Sequence, residues 1–177
     1  MSLRHSMLGL LAGGPASGYD LLKIFESSLN NVWSATQSQV YAELSRLADT
    51  GQIEVSAEGP RGRKEYAITE EGRAELRHWL TEVEPQPLRR NDMLLRVFFL
   101  DQLGPEEARR FLEQRAARAE QTRDELLELR ETVNQGDDAL HVYGSMALEW
   151  GLRFTAMQRE WAEWAADRVA SLGAHSR

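Results

Sequence analysis

Residues 36–72 read TQSQVYAELSRLADTGQIEVSAEGPRGRKEYAITEEG, which has the pattern of a helix followed by a β-hairpin. Its first four residues, Thr36-x-x-Gln39, match a capping box, in which the first and fourth residues each bond to the other's backbone amide. We therefore expect an amphipathic helix over 37–50 that stops at Gly51. Three apolar side chains recur at helical spacing and should form its buried face: Val40, Leu44 and Leu47.

The opposite face of this helix carries short hydroxyl, amide and methyl side chains. Groups of that size can approach base edges and phosphates closely. Tyr41 lies at the flank, where its phenol could bond a phosphate. A solvated helix face is the alternative interpretation of each polar residue. The candidate DNA-binding residues of the helix and its cap are Thr36, Gln37, Ser38, Gln39, Tyr41, Ala42 and Arg46.

A β-hairpin should follow the helix, because apolar and polar residues alternate over 53–57 and 65–69. Its tip, residues 60–64, contains three cations and no acid, and Gly62 permits a tight turn there. Such a tip can hold phosphates beside a groove-reading helix, although it can also serve only to keep an exposed edge soluble. The candidate DNA-binding residues of the tip are Arg61, Gly62, Arg63 and Lys64.

The rest of the chain reads as helix. The first half has helical patterns near 4–12, 18–29 and 70–82, and the proline-spaced segment 84–87 then interrupts the pattern. We expect a mainly α protein with a small two-stranded hairpin. Its predicted organisation is a winged-helix DNA-binding domain over 1–83, a linker over 84–90, and a helical dimerisation and effector domain over 91–177.

The second half should contain a short apolar helix over 91–100 and a long helix from Pro105 to about Val133. The last helix, about 138–172, has apolar residues in alternating steps of three and four, which is typical of coiled-coil packing against a long partner helix. This seam consists of Leu140, Tyr143, Ala147, Trp150, Phe154, Met157, Trp161 and Trp164. The residues expected to mediate dimerisation are Leu140, Tyr143, Trp150, Phe154, Met157 and Trp161.

Composition restricts the function further. Hydrophobic residues make up 42% of the 177 residues, and no apolar run is long enough to span a bilayer. The absence of cysteine excludes disulfides and thiolate metal ligands and fits a cytoplasmic protein. No spacing of the four histidines suggests a metal site, and no catalytic or cofactor motif is recognisable. The net charge of −7 predicts weak binding to random DNA, so specific contacts and dimerisation should be needed.

The chain resembles the PadR family of transcriptional regulators. The resemblance rests on the order Val40-Tyr41-x-x-Leu44-x-x-Leu47, Gly51-x-Ile53 and Arg63-Lys64-x-Tyr66-x-Ile68-Thr69-x-Glu71-Gly72, together with Gly18-Tyr19-Asp20-Leu21 and Arg90-Asn91-Asp92. It spans essentially the whole chain. It implies a winged-helix domain, a helical dimerisation domain, and repression that a small molecule relieves.

The partners expected are double-stranded DNA with a palindromic operator, a second copy of the chain, and a small aromatic effector. Flat aromatic faces favour planar or cationic ligands, although aromatic residues at helical spacing more often form a core or a dimer interface. The candidate effector-binding residues are Trp150, Phe154, Met157, Trp161 and Trp164. The rival interpretation is a winged-helix module that binds a partner protein and no specific DNA.

Overall fold

The computed structural model describes residues 2–26, 35–85, 90–133 and 138–175. The chain forms two compact units, Met1–Gln86 and Pro87–Arg177. The boundary between them falls inside the linker predicted over 84–90, of which residues 86–89 lie outside the described part of the chain.

The first unit is mostly helical around a small sheet. Its helices are α1 (Ser2–Ala12), α2 (Gly18–Ile24), α3 (Gln37–Asp49) and α4 (Glu70–Thr81), and its strands are β1 (Ala16–Ser17), β2 (Ile53–Glu58) and β3 (Lys64–Ile68). The helix predicted over 18–29 is described only as far as residue 26.

The sheet has three antiparallel strands in the order β1-β3-β2. It therefore contains the expected two-stranded hairpin and one strand more. The additional strand β1 consists of two residues, with Ala16 opposite Tyr66 and Ser17 opposite Glu65. Two residues are too few to show the alternation that marks a strand in sequence, which is why this pairing was not predicted.

The core of the first unit joins α1, α2, α3 and the sheet. On α3, the predicted buried residues Val40, Leu44 and Leu47 are all 0–1% exposed, which confirms the assignment of its two faces. The remaining members of this core are Met7, Leu8, Leu11, Leu21, Leu22, Phe25, Ile53 and Ile68. Because the core holds the inner face of α3 tightly, its outer face is fixed relative to the hairpin.

The end of α3 fixes the start of β2. Gly51 has φ of +73°, its amide donates to the carbonyl of Ala48, and the amide of Gln52 donates to the carbonyl of Leu47. This is a Schellman motif, and it stops the helix where the sequence predicted. Gly72 lies directly against the backbone of Gln52, which ends this motif. A Cβ on Gly72 would overlap the carbonyl oxygen of Gln52.

The second unit contains α5 (Asp92–Val97), α6 (Pro105–Val133) and α7 (Ala139–His175). The predicted helix over 91–100 is therefore shorter, and a 3-10 turn over Leu100–Gln102 follows it. Helices α6 and α7 run antiparallel: Leu112 lies near Ala165, Glu120 pairs with Arg159, and Leu126 lies against Gly151.

The face of α7 that packs in this unit is offset from the predicted seam. Its buried residues are Leu148, Leu152, Thr155, Ala162, Ala165 and Ala166. By contrast Leu140, Tyr143, Trp150, Phe154, Met157 and Trp164 are exposed, and Trp161 is half-buried. The seam is therefore largely uncovered within the single chain, and α6 is not the long helix that pairs with most of it.

Candidate nucleic-acid interface

The capping box at the start of α3 is present. Thr36 Oγ1 accepts a hydrogen bond from the amide of Gln39 at 3.4 Å, and Gln39 Oε1 accepts one from the amide of Thr36 at 2.9 Å. This exchange fixes the first turn of the helix and uses the carbonyl end of the Gln39 side chain. The residues of α3 and its cap that were predicted to contact DNA are all exposed: Thr36, Gln37, Ser38, Gln39, Tyr41, Ala42 and Arg46.

Arg46 differs from its neighbours in having an ionic partner. Its Nη1 lies 3.1 Å from Oε2 of Glu43, whose side chain is 11% exposed while that of Arg46 is 70% exposed. Glu43 therefore lies on the buried side of the helix and reduces the positive charge that Arg46 presents. The three-residue spacing of this pair is a local signal that is visible in the sequence.

The tip of the hairpin is a tight turn, which we call the wing (residues 59–64). The Gly59 amide donates to the Arg63 carbonyl at 2.7 Å, and a 3-10 turn over Pro60–Gly62 lies between them. Gly62 has φ of +75°, which fits the expectation of a tight turn there. The backbone of Arg61 is part of this turn, and its side chain lies outside the described part of the structure.

The two remaining cations of the wing have different surroundings. Lys64 is exposed, and no carboxylate of the described residues forms an ion pair with it. Arg63 Nη2 lies 2.7 Å from Oδ2 of Asp20, a residue of α2. Asp20 is 43 residues from Arg63, so no local sequence pattern indicates that it is part of this surface.

Asp20 is held in place by the start of its own helix. Ser17 caps α2 by accepting a hydrogen bond from the Asp20 amide at 3.3 Å, and the Ser17 hydroxyl donates to Asp20 Oδ2 at 2.7 Å. The Ser17 hydrogen bond, together with the charge of Arg63, lowers the pKa of Asp20 below its ordinary value. The pattern Ser17-x-x-Asp20 could have indicated this helix start in the sequence.

A pocket of about 350 Å³ lies between α2, α3 and the wing. The residues that line it include Tyr19, Tyr41, Arg63 and Lys64. Tyr41 leans over Gly18 so closely that a Cβ at Gly18 would lie 2.7 Å from Tyr41 Cε1. Gly18 thus lets α2 and α3 approach each other, and tyrosine and cationic residues line a common space in which an anion could be bound.

The aromatic residues of α7 do not form one cluster. Trp150 and Phe154 stack with ring centroids 5.0 Å apart and an interplanar angle of 10°. Trp161 packs against the small core of Leu112, Ala165 and Ala166, and the guanidinium carbon of Arg168 lies 5.9 Å from the centroid of the Trp164 ring. The predicted effector-binding residues therefore divide into an exposed stacked pair, a half-buried packing residue and two exposed side chains.

Among the described residues, no three His, Asp or Glu side chains lie close enough together to hold a metal ion. None of the helices that the structure describes is long and apolar enough to cross a membrane.

A capped helix with an exposed polar face, followed by a hairpin with a basic tip and packed on a three-helix core, defines a winged helix-turn-helix protein; here it is joined to a second, helical unit. Residues 7–78 match the model of the transcriptional regulator PadR-like family, and residues 89–170 match the model of the virulence activator alpha C-terminal region. The first unit thus carries a PadR-like transcriptional regulator domain, and the resemblance predicted from the sequence is confirmed.

Curated relatives carry regulatory names. The negative transcriptional regulator PadR of Bacillus subtilis is 36% identical over 110 residues, which are 60% of this chain and 60% of that protein. A probable transcriptional regulator of Mycobacterium tuberculosis is 35% identical over 85 residues, which are 46% of this chain and 45% of that protein. The matched stretch is thus less than two thirds of the length of either relative.

Solved structures are similar over nearly the whole chain. Bacillus subtilis PadR in complex with operator DNA has a TM-score of 0.80 at 26% identity, covering 96% of this chain and 99% of that one. The same protein in complex with p-coumaric acid has a TM-score of 0.85 over the same coverage. The Vibrio cholerae virulence activator AphA has a TM-score of 0.76 at 25% identity, covering 98% of this chain and 99% of that one. The predicted fold class is confirmed.

Proposed function

We propose that this protein is a sequence-specific DNA-binding transcriptional repressor that acts as a homodimer in the cytoplasm and is released from its operator by a small aromatic compound. The observation that carries the proposal is the joint presentation of the outer face of α3 and the wing on one winged-helix unit. The family assignment and the operator complex of Bacillus subtilis PadR support it. Repression, rather than activation, follows the name of the curated PadR relative.

The geometry of the first unit suits a duplex. A helix of 13 residues with one buried face can enter a major groove with its other face, where hydroxyl and amide side chains meet base edges. The fixed first turn places Gln37 and Ser38 at the leading end of that helix. Lys64 and Arg63 on the wing then reach phosphates beside the groove.

Dimerisation is supported by what α7 leaves uncovered. Trp150 is 65% exposed and Tyr143 is 69% exposed, and both lie on the same face of the helix as Met157. A contiguous apolar stripe of this kind is characteristic of a protein interface. A second copy of the chain would cover it, and pairing would present two recognition helices to the two halves of a palindrome.

The effector proposal rests on the stacked pair Trp150 and Phe154. Their exposed parallel rings offer a surface on which a planar ring could stack. Bacillus subtilis PadR has been solved with the aromatic ligand p-coumaric acid, which supports an effector of that class. Because Trp161 is already packed against its own unit, we assign it mainly a structural role.

Fluorescence anisotropy tests DNA binding directly. The protein is titrated into labelled DNA from upstream of its own gene and into a scrambled duplex, at two or more salt concentrations. We expect tight, salt-sensitive binding to the upstream DNA only. Lys64→Gln should weaken it and lower the slope of log K against log salt by about 0.9 if Lys64 neutralises one phosphate. Arg73→Gln, which removes a charge from the exposed surface of α4, is the matched control and should leave the slope unchanged.

A different result would favour the other class of function. If Lys64→Gln and wild type bind both duplexes equally weakly, and p-coumaric acid leaves that result unchanged, the winged helix is better explained as a module that binds a partner protein.

A further inference from the structure

A carboxylate, that of Asp20, is paired with a cation of the surface proposed to bind DNA. Oδ2 of Asp20 accepts hydrogen bonds from the Ser17 hydroxyl and from the Arg63 guanidinium, each at 2.7 Å. Arg63 belongs to the wing and faces the pocket of about 350 Å³ beside Lys64 and Tyr41. A carboxylate therefore already occupies the guanidinium edge that could otherwise hold a phosphate.

The two partners of this ion pair are not equally constrained by their contacts. Ser17 is 1% exposed and pairs with β3, so the hydrogen bond from its hydroxyl anchors the Asp20 carboxylate to the body of the first unit. Arg63 lies in a turn at the tip of a hairpin, at the end of a long side chain. Separation of the pair therefore requires only a change of the Arg63 side chain, because the bonds between Ser17 and Asp20 can remain.

The ion pair is also accessible enough to exchange. The side chains of Arg63 and Asp20 are 54% and 42% exposed. Ion pairs that exposed contribute little, because solvent screens them. A phosphodiester of the DNA backbone offers two non-bridging oxygens and can bind a guanidinium through two parallel hydrogen bonds, so it can replace a carboxylate that uses one oxygen.

We propose that Asp20 competes with the DNA backbone for Arg63, so that binding exchanges the Asp20–Arg63 ion pair for an Arg63–phosphate contact. The inference rests on the proposed function and assigns a role within it to a residue that does not itself need to touch DNA. The exchange weakens the phosphate contribution to binding, which is the part that does not depend on sequence. Asp20 therefore reduces occupancy of random DNA, and the base contacts of α3 must supply the difference at an operator.

A second pair on the same surface points in the same direction. Arg46 on the outer face of α3 is 3.1 Å from Glu43. Two cations of the proposed DNA-binding surface, Arg46 and Arg63, thus each have an acidic partner in the free protein. Among the wing side chains that the structure describes, Lys64 has no ion-pair partner, so it is available for the first encounter with DNA. At neutral pH Asp20 remains ionised, since its pKa is lowered by the Ser17 hydrogen bond and by Arg63, and the competition persists.

The test is a double-mutant cycle on DNA affinity with Asp20→Asn, Arg63→Gln and the double variant. Asparagine keeps an oxygen that can accept from Ser17 but loses the charge. We expect Asp20→Asn to tighten binding to upstream and scrambled DNA by about two- to fivefold at low salt, the range of an exposed ion pair. In the Arg63→Gln background, Asp20→Asn should raise DNA affinity no more than Glu54→Gln does. Glu54→Gln is the control, because it removes a negative charge from an exposed position on β2.

The outcomes separate clearly. Weaker binding by Asp20→Asn would show that the carboxylate positions Arg63 for DNA, and equal effects in both backgrounds would show a general change of charge; either overturns the proposal. Melting temperatures within about 3 °C of wild type would confirm that the variants are folded. If Asp20→Asn unfolds α2, Asp20→Ser is the second variant. If wild type itself shows no selective binding, the proposed function fails, whatever Asp20 does.

Discussion

Gly72 offers the sharpest test of how the first unit is packed. It is buried in the first turn of α4, and a Cβ at this position would overlap the carbonyl oxygen of Gln52 and lie 2.9 Å from Ile68 Cγ1. The same Gln52 carbonyl accepts a hydrogen bond from the Thr69 amide at 3.1 Å. The obstacle is therefore backbone that is already bonded, and it cannot move aside as a flexible side chain could.

Gly72→Ala should consequently destabilise the first unit. Forcing a methyl group into a packed site costs about 1–3 kcal/mol, and a clash with backbone belongs at the upper end. For a unit of this size each kcal/mol lowers the melting temperature by about 4–8 °C, so we expect a fall on the order of 10 °C or more. The assay is differential scanning calorimetry of the full chain, read on the transition that shifts.

Gly9→Ala is the matched control, because it makes the same chemical change in a helix of the same unit. Gly9 is exposed in α1, and a Cβ there would have no neighbour within 4 Å. Alanine is favoured over glycine inside a helix by about 0.5–1 kcal/mol, so this variant should melt slightly higher than wild type. Equal melting temperatures for the two variants would refute the close approach of α4 to the start of β2.

Three further predictions follow from the contacts described above. Thr36→Ala removes the side-chain half of the capping box and should lower the free energy of unfolding by about 1 kcal/mol. The variant should melt at a lower temperature and bind upstream DNA more weakly in anisotropy, and an unchanged melting temperature would count against the cap. Trp150→Ala should shift the protein from dimer toward monomer in sedimentation at micromolar concentration, and an unshifted dimer would exclude this part of the seam. The hydrogen bond from His5 lowers the pKa of Glu75. Ionised Glu75 therefore stabilises the folded protein when the pH is above the ordinary pKa of 4.5, and this stabilisation is lost as the pH falls through the lowered pKa of the folded state. The melting temperatures of Glu75→Gln and wild type should thus differ at pH 6 and converge below pH 4.5, and a constant difference would contradict this.

The sequence identified features that depend on neighbouring residues. Thr36 and Gln39 are three positions apart, so their capping box is visible as a local pattern and was found where it was predicted. Gly51 and Gly62 mark backbone conformations that few other residues adopt, and both have positive φ. The buried face of α3 followed from its helical period.

The tertiary structure decided which distant residues meet. Asp20 and Arg63 are 43 positions apart, and β1 pairs with β3 across about fifty positions, so neither contact leaves a local pattern. On α7 the period predicted an apolar stripe, but only the packing of α6 showed that Leu148 and Leu152 face inward while Trp150 is left uncovered. Short-range order is set by steric and hydrogen-bonding preferences along the chain, whereas the pairing of distant charges and faces depends on how the whole core closes.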